Sequence, residues 1–344
     1  MKRMQRKALC IISWLLAGVL AAAFFSEAAC GAKKTPVSVH GALRVDGTKL
    51  VDKNGDCYRL KGVSTHGISW YPEYVNKEAF RTMRDEWGVN CVRLAVYTAE
   101  YNGYCTGGED NKKALLKKVD EGVDYATQLG MYVIIDWHIL SDGNPKTYEK
   151  KAVSFFNRMA KKYKNQDNVI YEICNEPNGG TTWKEIKSYA KTVIKTIRKQ
   201  DKDAIIIVGT PSWSQDVDVV SNSPITGYDN LMYAFHFYAG THKESYRKKV
   251  STAIGNGLPV FVSEFGITDS SGNGKVDTKE GTTWYKFLKK NGISCVAWNL
   301  SNKNESSALL KNSCSRTGNW KKSDLSASGK WLVKTFYGSL DGIK

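Results

Sequence analysis

The chain alternates between two hydrophobic patterns. Short apolar runs recur at Tyr58–Ser64, Asn90–Val96, Met131–Trp137, Val169–Cys174, Ala204–Gly209, Leu231–Phe237, Pro259–Ser263 and Ser294–Leu300. Between them, near 77–87, 112–129, 149–164, 182–200, 242–255 and 279–290, apolar residues return every three or four positions, and a last such stretch covers 324–337. Strands that read as unbroken apolar runs are covered on both faces, as parallel strands flanked by helices are. Eight strand-then-helix units predict an α/β fold, a single (β/α)8 (TIM) barrel. The connection after the fifth strand, with Pro211 and Pro224, is less regular. Upstream, the turns Asp46-Gly47 and Asn54-Gly55 flank the alternating segment Lys49–Asp52, which reads as a short β-hairpin closing the barrel bottom.

The first residues are of another kind. Lys2, Arg3, Arg6 and Lys7 precede an 18-residue apolar run, Ala8–Phe25, and then the small residues Ala28, Ala29, Cys30, Gly31 and Ala32. This is the layout of an export signal over 1–29, which makes the protein secreted or displayed at the cell surface. Cleavage leads the alternatives, which are lipid attachment at Cys30 and a retained membrane anchor; only the last two involve a membrane. A flexible lead follows at 30–40, and the catalytic-size domain runs over 41–338 with no linker or appended module.

Composition narrows the class further. In 344 residues, 42% are apolar, enough for a large core, and eight Cys are too few for a disulfide scaffold. Cys91, Cys174 and Cys295 fall inside strands and read as packing residues. Cys57, Cys105 and Cys314 lie in or near loops, where a disulfide is open but its pairing is not readable. The formal charge of +16 falls to +13 without the signal. Its lysines cluster in short pairs on predicted helices, a solvated-face pattern, and no zinc-finger spacing or phosphate loop accompanies them, so nucleic acid is not expected as a partner.

In such barrels, reactive groups sit where strands end. Polar and aromatic residues collect there: His66 and Trp70, Arg93 and Tyr97, Asp136-Trp137-His138, Asn175-Glu176, His236-Phe237-Tyr238, Glu264 and Trp298. Glu176 and Glu264 are each the first acid after an apolar strand, and paired carboxyls suit glycoside hydrolysis. Arg93 is expected to hold Glu264 ionised with a low pKa, and Tyr238 to donate to it. Asn175 is a candidate donor to a sugar 2-hydroxyl, His138 and His236 are neutral-capable donors, and Trp298, Trp70 and Tyr71 offer stacking faces. His66, His138 and His236 lack the paired-His spacing of metal-dependent barrels, so neither a metal nor another cofactor is expected.

These residues resemble glycoside hydrolase family 5. Asn175-Glu176-Pro177, Ser263-Glu264-Phe265-Gly266, Val133–His138, Ile206–Thr210 and Tyr233–Gly240 look like its subfamily 2, the bacterial endoglucanases, and the resemblance covers roughly 41–338. It implies a retaining endo-β-1,4-glucanase acting on cellulose and related β-glucans, with Glu176 as acid/base and Glu264 as nucleophile. The family's remaining core positions match Arg93, His138, Asn175, His236, Tyr238 and Trp298, and its substrate subsites match His66, Trp70, Tyr71, Tyr97, Ser270, Ser271, Lys303 and Glu305. Two positions depart from the family: Phe265 stands where Trp is common and Asn302 where His is common, both expected near the subsites. The alternatives on this scaffold are a β-mannanase, a xyloglucanase, or a glucan-binding protein without catalysis.

Overall fold

The computed structural model describes residues 34–341 and 343; the export signal and Cys30 lie outside the described residues. Eight parallel strands close into a barrel in chain order, and the last pairs with the first. They are β3 (Lys61–Thr65), β4 (Cys91–Tyr97), β5 (Tyr132–His138), β6 (Val169–Glu172), β7 (Ile206–Val208), β8 (Leu231–Tyr238), β9 (Val260–Gly266) and β10 (Cys295–Leu300). Ahead of them, β1 (Arg44–Asp46) and β2 (Lys49–Val51) form the antiparallel hairpin. Helices Lys77–Glu86, Gly108–Gln128, Glu149–Tyr163, Trp183–Arg198, Glu244–Gly255, Thr278–Lys290 and Ala327–Phe336 follow seven of the barrel strands. After β7 come only Pro211–Ser214 and Val217–Ser221, where the sequence is least regular.

Local chemistry sets the helix starts. Thr182 and Glu185 form a reciprocal capping box ahead of Trp183, and Asn76 caps the helix at Lys77 by accepting from the Ala79 N–H. The apolar helix faces then pack on the outer strand faces; Phe155 and Phe156, for example, lie against Trp137.

Within the segment expected as a flexible lead, Pro36–His40 form a short helix. It is tied down at both ends. The Val37 N–H donates to Gly130 at 2.9 Å, and His40 stacks on Tyr58 at 3.7 Å while bonding Asp52 at 2.8 Å.

The barrel interior is layered by the two-residue period of its strands. Below, Cys91, Tyr132, Ile134, Ile170, Ile207, Met232, Ala234, Phe261 and Val296 form an apolar plug that Leu43 and Leu50 of the hairpin region cover. Two residues further along four of these strands stand Arg93, Asp136, Glu172 and His236, all buried. Strict alternation from Phe261 would point Ser263 inward and Glu264 outward. The β8–β9 register shifts between the Ala234 and His236 pairings, and Glu264 lies directly beside His236. This bulge lets consecutive residues Ser263 and Glu264 both reach the interior, and bulges commonly re-aim a side chain in this way.

Candidate active site

A cavity of about 570 Å³ opens where the barrel strands end. Glu176, Glu264, His236 and Tyr238 line its centre. Around them, five rings form a closed aromatic circuit: His66–Trp70 (5.3 Å), Trp70–Tyr97 (5.4 Å), Tyr97–His138 (4.4 Å), His138–Trp298 (5.2 Å) and Trp298–His66 (5.2 Å). Lys303 and Glu305, paired at 2.6 Å, add a charged edge beside His66. Flat apolar faces next to fixed polar groups suit a pyranose, which has both kinds of surface.

Oxygens of Glu176 and Glu264 and a ring nitrogen of His236 all lie within 4.8 Å of one another. Among the described residues this is a geometric set of metal-type ligands, but its His nitrogen is engaged: His236 Nδ1 meets Glu176 Oε1 at 2.9 Å. Arg93 sits beneath the pair. Its guanidinium donates to Glu172 at 2.7 Å, Glu264 at 3.2 Å and Asn175 at 2.6 Å, and it lies 3.1 Å from Asp136. Tyr238 donates to Glu264 at 2.8 Å.

Burial decides the proton affinities. It is the largest influence on Glu264 and, with Glu176 opposite, pushes this carboxyl up to about 7 despite His236, Arg93 and Tyr238. The expectation that Arg93 keeps Glu264 low is therefore corrected: Arg93 also faces Glu172 and Asp136, and burial with Glu176 opposite outweighs its pull on Glu264. Burial also opposes a charge on Glu172, but Arg93 and His236 overcome it and hold Glu172 down to about 2. Burial likewise disfavours the His236 imidazolium, yet Glu172 and Glu176 raise it to about 9. Asp136 is pushed far up by burial, reinforced by Glu172 and Glu264. Its Oδ1 has no hydrogen-bond partner, which a neutral acid tolerates better than a buried anion does.

Most residues expected at the site converge on it. His66, Trp70, Tyr97, His138, Glu176, His236, Tyr238, Glu264, Ser270, Ser271, Trp298, Lys303 and Glu305 all line the cavity. Tyr71 does not; it sits edge-on to His66 at 5.0 Å and supports it. Asn175 is buried behind the wall, its amide nitrogen divided between the Ile139 carbonyl at 3.0 Å and His138 Nε2 at 3.3 Å. The longer contact is the one a sugar hydroxyl can displace.

The two departures from the family pattern also lie away from the cavity. Phe265 is buried against Phe237 and Trp331, and Asn302 donates to the Cys314 carbonyl. The six described cysteines are free thiols.

Five cavity residues were not expected: Leu140, Trp213, Gln215, His242 and Gly272. Trp213 is half exposed on a left-handed turn in which Ser212, Trp213 and Ser214 all have φ 56°. No glycine marks that turn, so only Pro211 signalled a break. His242 was hidden at a helix start, where it accepts the Tyr238 N–H at 2.8 Å.

A closed parallel barrel whose rim brings two carboxyls together over an aromatic-walled cleft defines a glycoside hydrolase of the (β/α)8 class. The model of the cellulase family, glycosyl hydrolase family 5, matches residues 51–304, and the chain belongs to this family. It is 49% identical over 295 residues to endoglucanase A of Butyrivibrio fibrisolvens, covering 86% of this chain and 68% of that one. It is 48% identical over 309 residues to an endoglucanase of Clostridium saccharobutylicum, covering 90% and 68%. Among solved structures, the cellulase Cel5C_n superposes with TM-score 0.84 at 41% identity, covering 89% of this chain and 94% of that one. The catalytic domain of Thermobifida fusca endoglucanase Cel5A, solved in complex with cellotetraose, superposes with TM-score 0.83 at 36% identity, covering 88% and 100%.

Proposed function

We propose that this chain is an exported endo-β-1,4-glucanase that cleaves internal bonds of cellulose and related β-glucans with retention of anomeric configuration. The observation that carries the reading is the approach of Glu176 and Glu264 oxygens to within 4.8 Å. Retaining glycosidases hold their carboxyls ~5–5.5 Å apart, whereas inverting ones need ~6.5–9.5 Å to admit a water between carboxylate and sugar. Glu264 attacks the anomeric carbon while Glu176 gives its proton to the departing glycosidic oxygen. Glu176 then takes a proton from water, which attacks the same carbon and releases Glu264. Arg93 and Tyr238 steady the Glu264 carboxylate once it ionises.

The substrate class follows the relatives named endoglucanase and the cellotetraose-bound neighbour. Export follows the basic head and apolar run of the first 29 residues. Two measurements test the reading. Soluble cellulose derivatives, xyloglucan and mannan are compared for release of reducing ends, and the anomer formed first from cellopentaose is identified by proton NMR. The β-anomer from a β-1,4-glucan is expected. Release confined to mannan, or an α-anomer appearing first, overturns the substrate or the mechanism respectively.

A further inference from the structure

Glu172 and Ser263 have no part in the steps above, yet both are buried against His236. Their donors and acceptors can be counted completely. Glu172 Oε2 takes the Arg93 Nε–H at 2.7 Å, and Glu172 Oε1 takes the Ser263 hydroxyl at 2.6 Å. Held between a guanidinium and a hydroxyl, Glu172 is an acceptor only. Ser263 has a single proton, and Glu172 claims it. His236 Nε2 lies 2.9 Å from the same Ser263 oxygen, so this nitrogen must be the donor there. That leaves Nδ1 as the only ring position whose protonation can change, and Nδ1 faces Glu176 Oε1 at 2.9 Å.

We infer that Glu172 and Ser263 are positioning residues that fix the tautomer of His236, so that its variable proton always lies on the side of Glu176. Neutral His236 then accepts from a protonated Glu176 and holds it ready as the acid. Charged His236 donates to an ionised Glu176; moving that proton from Nδ1 to Oε1 gives neutral His236 and the protonated acid, which passes the proton to the departing oxygen and regains one from the attacking water. In both states Nε2 keeps its proton, so one hydrogen moves along the Nδ1–Oε1 line with no ring flip. The chain Glu172–Ser263–His236–Glu176 thus sets the proton on the acid/base from within the barrel core.

The groups acting on His236 are Asp136 and His138 from β5, Glu172 and Glu176 from β6 and its end, and Glu264 from β9, with Arg93 from β4 paired to Glu172 and Glu264. All but Ser263 carry or can carry charge, so Ser263 is the one link that can be cut without altering the charge of the cluster. The inference rests on Glu176 being the acid/base.

Ser263→Ala removes the oxygen that accepts from Nε2 and leaves Glu172 Oε1 3.8 Å away. The ring is then free to carry its proton on either nitrogen. Its kcat on soluble glucan is expected to fall about 10- to 100-fold, with KM changed less than about twofold, because proton delivery is impaired and sugar contacts are not. The alkaline limb of the kcat–pH profile should move to lower pH, and Ser263→Thr, which keeps the hydroxyl, should restore both rate and profile. Glu172→Gln should reverse the wire: its amide donates to Ser263, the hydroxyl then donates to Nε2, and neutral His236 can no longer accept from protonated Glu176.

Nitrogen-15 NMR of His236 above pH 9, where the neutral ring dominates, reads the tautomer without any substrate. Nε2–H is expected in the wild type and a mixture or Nδ1–H in Ser263→Ala. An unchanged tautomer with an unmoved pH profile overturns the inference, as does a rate loss that Ser263→Thr fails to rescue. A wild type that leaves every glucan intact while showing the Nε2–H tautomer overturns the functional reading instead.

Discussion

Cys91, Ile134, Ile170 and Ala234 fill the lower barrel; two residues further along the same four strands stand Arg93, Asp136, Glu172 and His236. The lower rung gains from burial alone, by about 25 cal/mol per Å² of apolar surface. The upper rung loses by burial, since each charge gives up water, and it holds together only because every member faces an opposite charge or a donor. The lower rung therefore sets stability and is indifferent to chemistry, whereas the upper rung spends stability to hold two carboxyls at raised or lowered proton affinity. A single strand carries both rules one pleat apart.

The widest separation between the two rungs should come from Glu264→Gln. Its turnover is expected to fall about 10⁵-fold, as loss of a covalent nucleophile does, while cellotetraose binding by calorimetry persists. Retained turnover would remove the nucleophile assignment. Arg93→Met should come next. It strands Asp136, Glu172 and Glu264 without their shared cation and should cost about 3–5 kcal/mol in denaturant unfolding, with activity lost as well. Ile134→Ala, the neighbour of Arg93 across the β4–β5 pairing, should cost a comparable or smaller amount, about 3 kcal/mol, with kcat held within about twofold. Activity lost in that variant would show that the two rungs are not separable.

The smallest effect is the pH dependence of stability, and its sign distinguishes the groups. His236 is raised from 6.5 to about 9, so its contribution is complete below pH 6.5 and is lost as pH climbs through 9. Glu264 is raised from 4.5 to about 7, so its contribution is present below pH 4.5 and fades as pH rises through 7. Glu172 is lowered from 4.5 to about 2, so its contribution stands above pH 4.5 and is lost on acidification. Thermal unfolding should therefore peak near pH 4.5 and decline on both sides. Glu264→Gln should flatten the decline between pH 4.5 and 7, the window that its own carboxyl titrates in. A melting temperature that rises steadily to pH 8 would contradict this assignment.

The fold was legible because parallel strands must be apolar on both faces, and the eight runs from Tyr58 to Leu300 say so. Glu176, Glu264 and the aromatic wall were legible because they follow strand ends. Glu172 and Ser263 were not, because each sits inside an apolar run and passes for an exception. A finer signal was present: Ile134-Asp136-His138, Ile170-Glu172 and Ala234-His236-Tyr238 are period-two series that turn polar toward the strand end. The bulge that turns Glu264 inward leaves no mark, since Val260–Gly266 reads as an ordinary strand. Trp213 was missed because a left-handed turn over Ser212–Ser214 runs against the preference of those residues and is held by its surroundings.

The most direct test is covalent trapping. A 2-deoxy-2-fluoro cellobioside with a good leaving group slows both steps and lets the glycosyl-enzyme accumulate. Peptide mass spectrometry should find the fluorinated disaccharide on Glu264. A label on Glu176, or none while an unmodified substrate is turned over, would contradict the account.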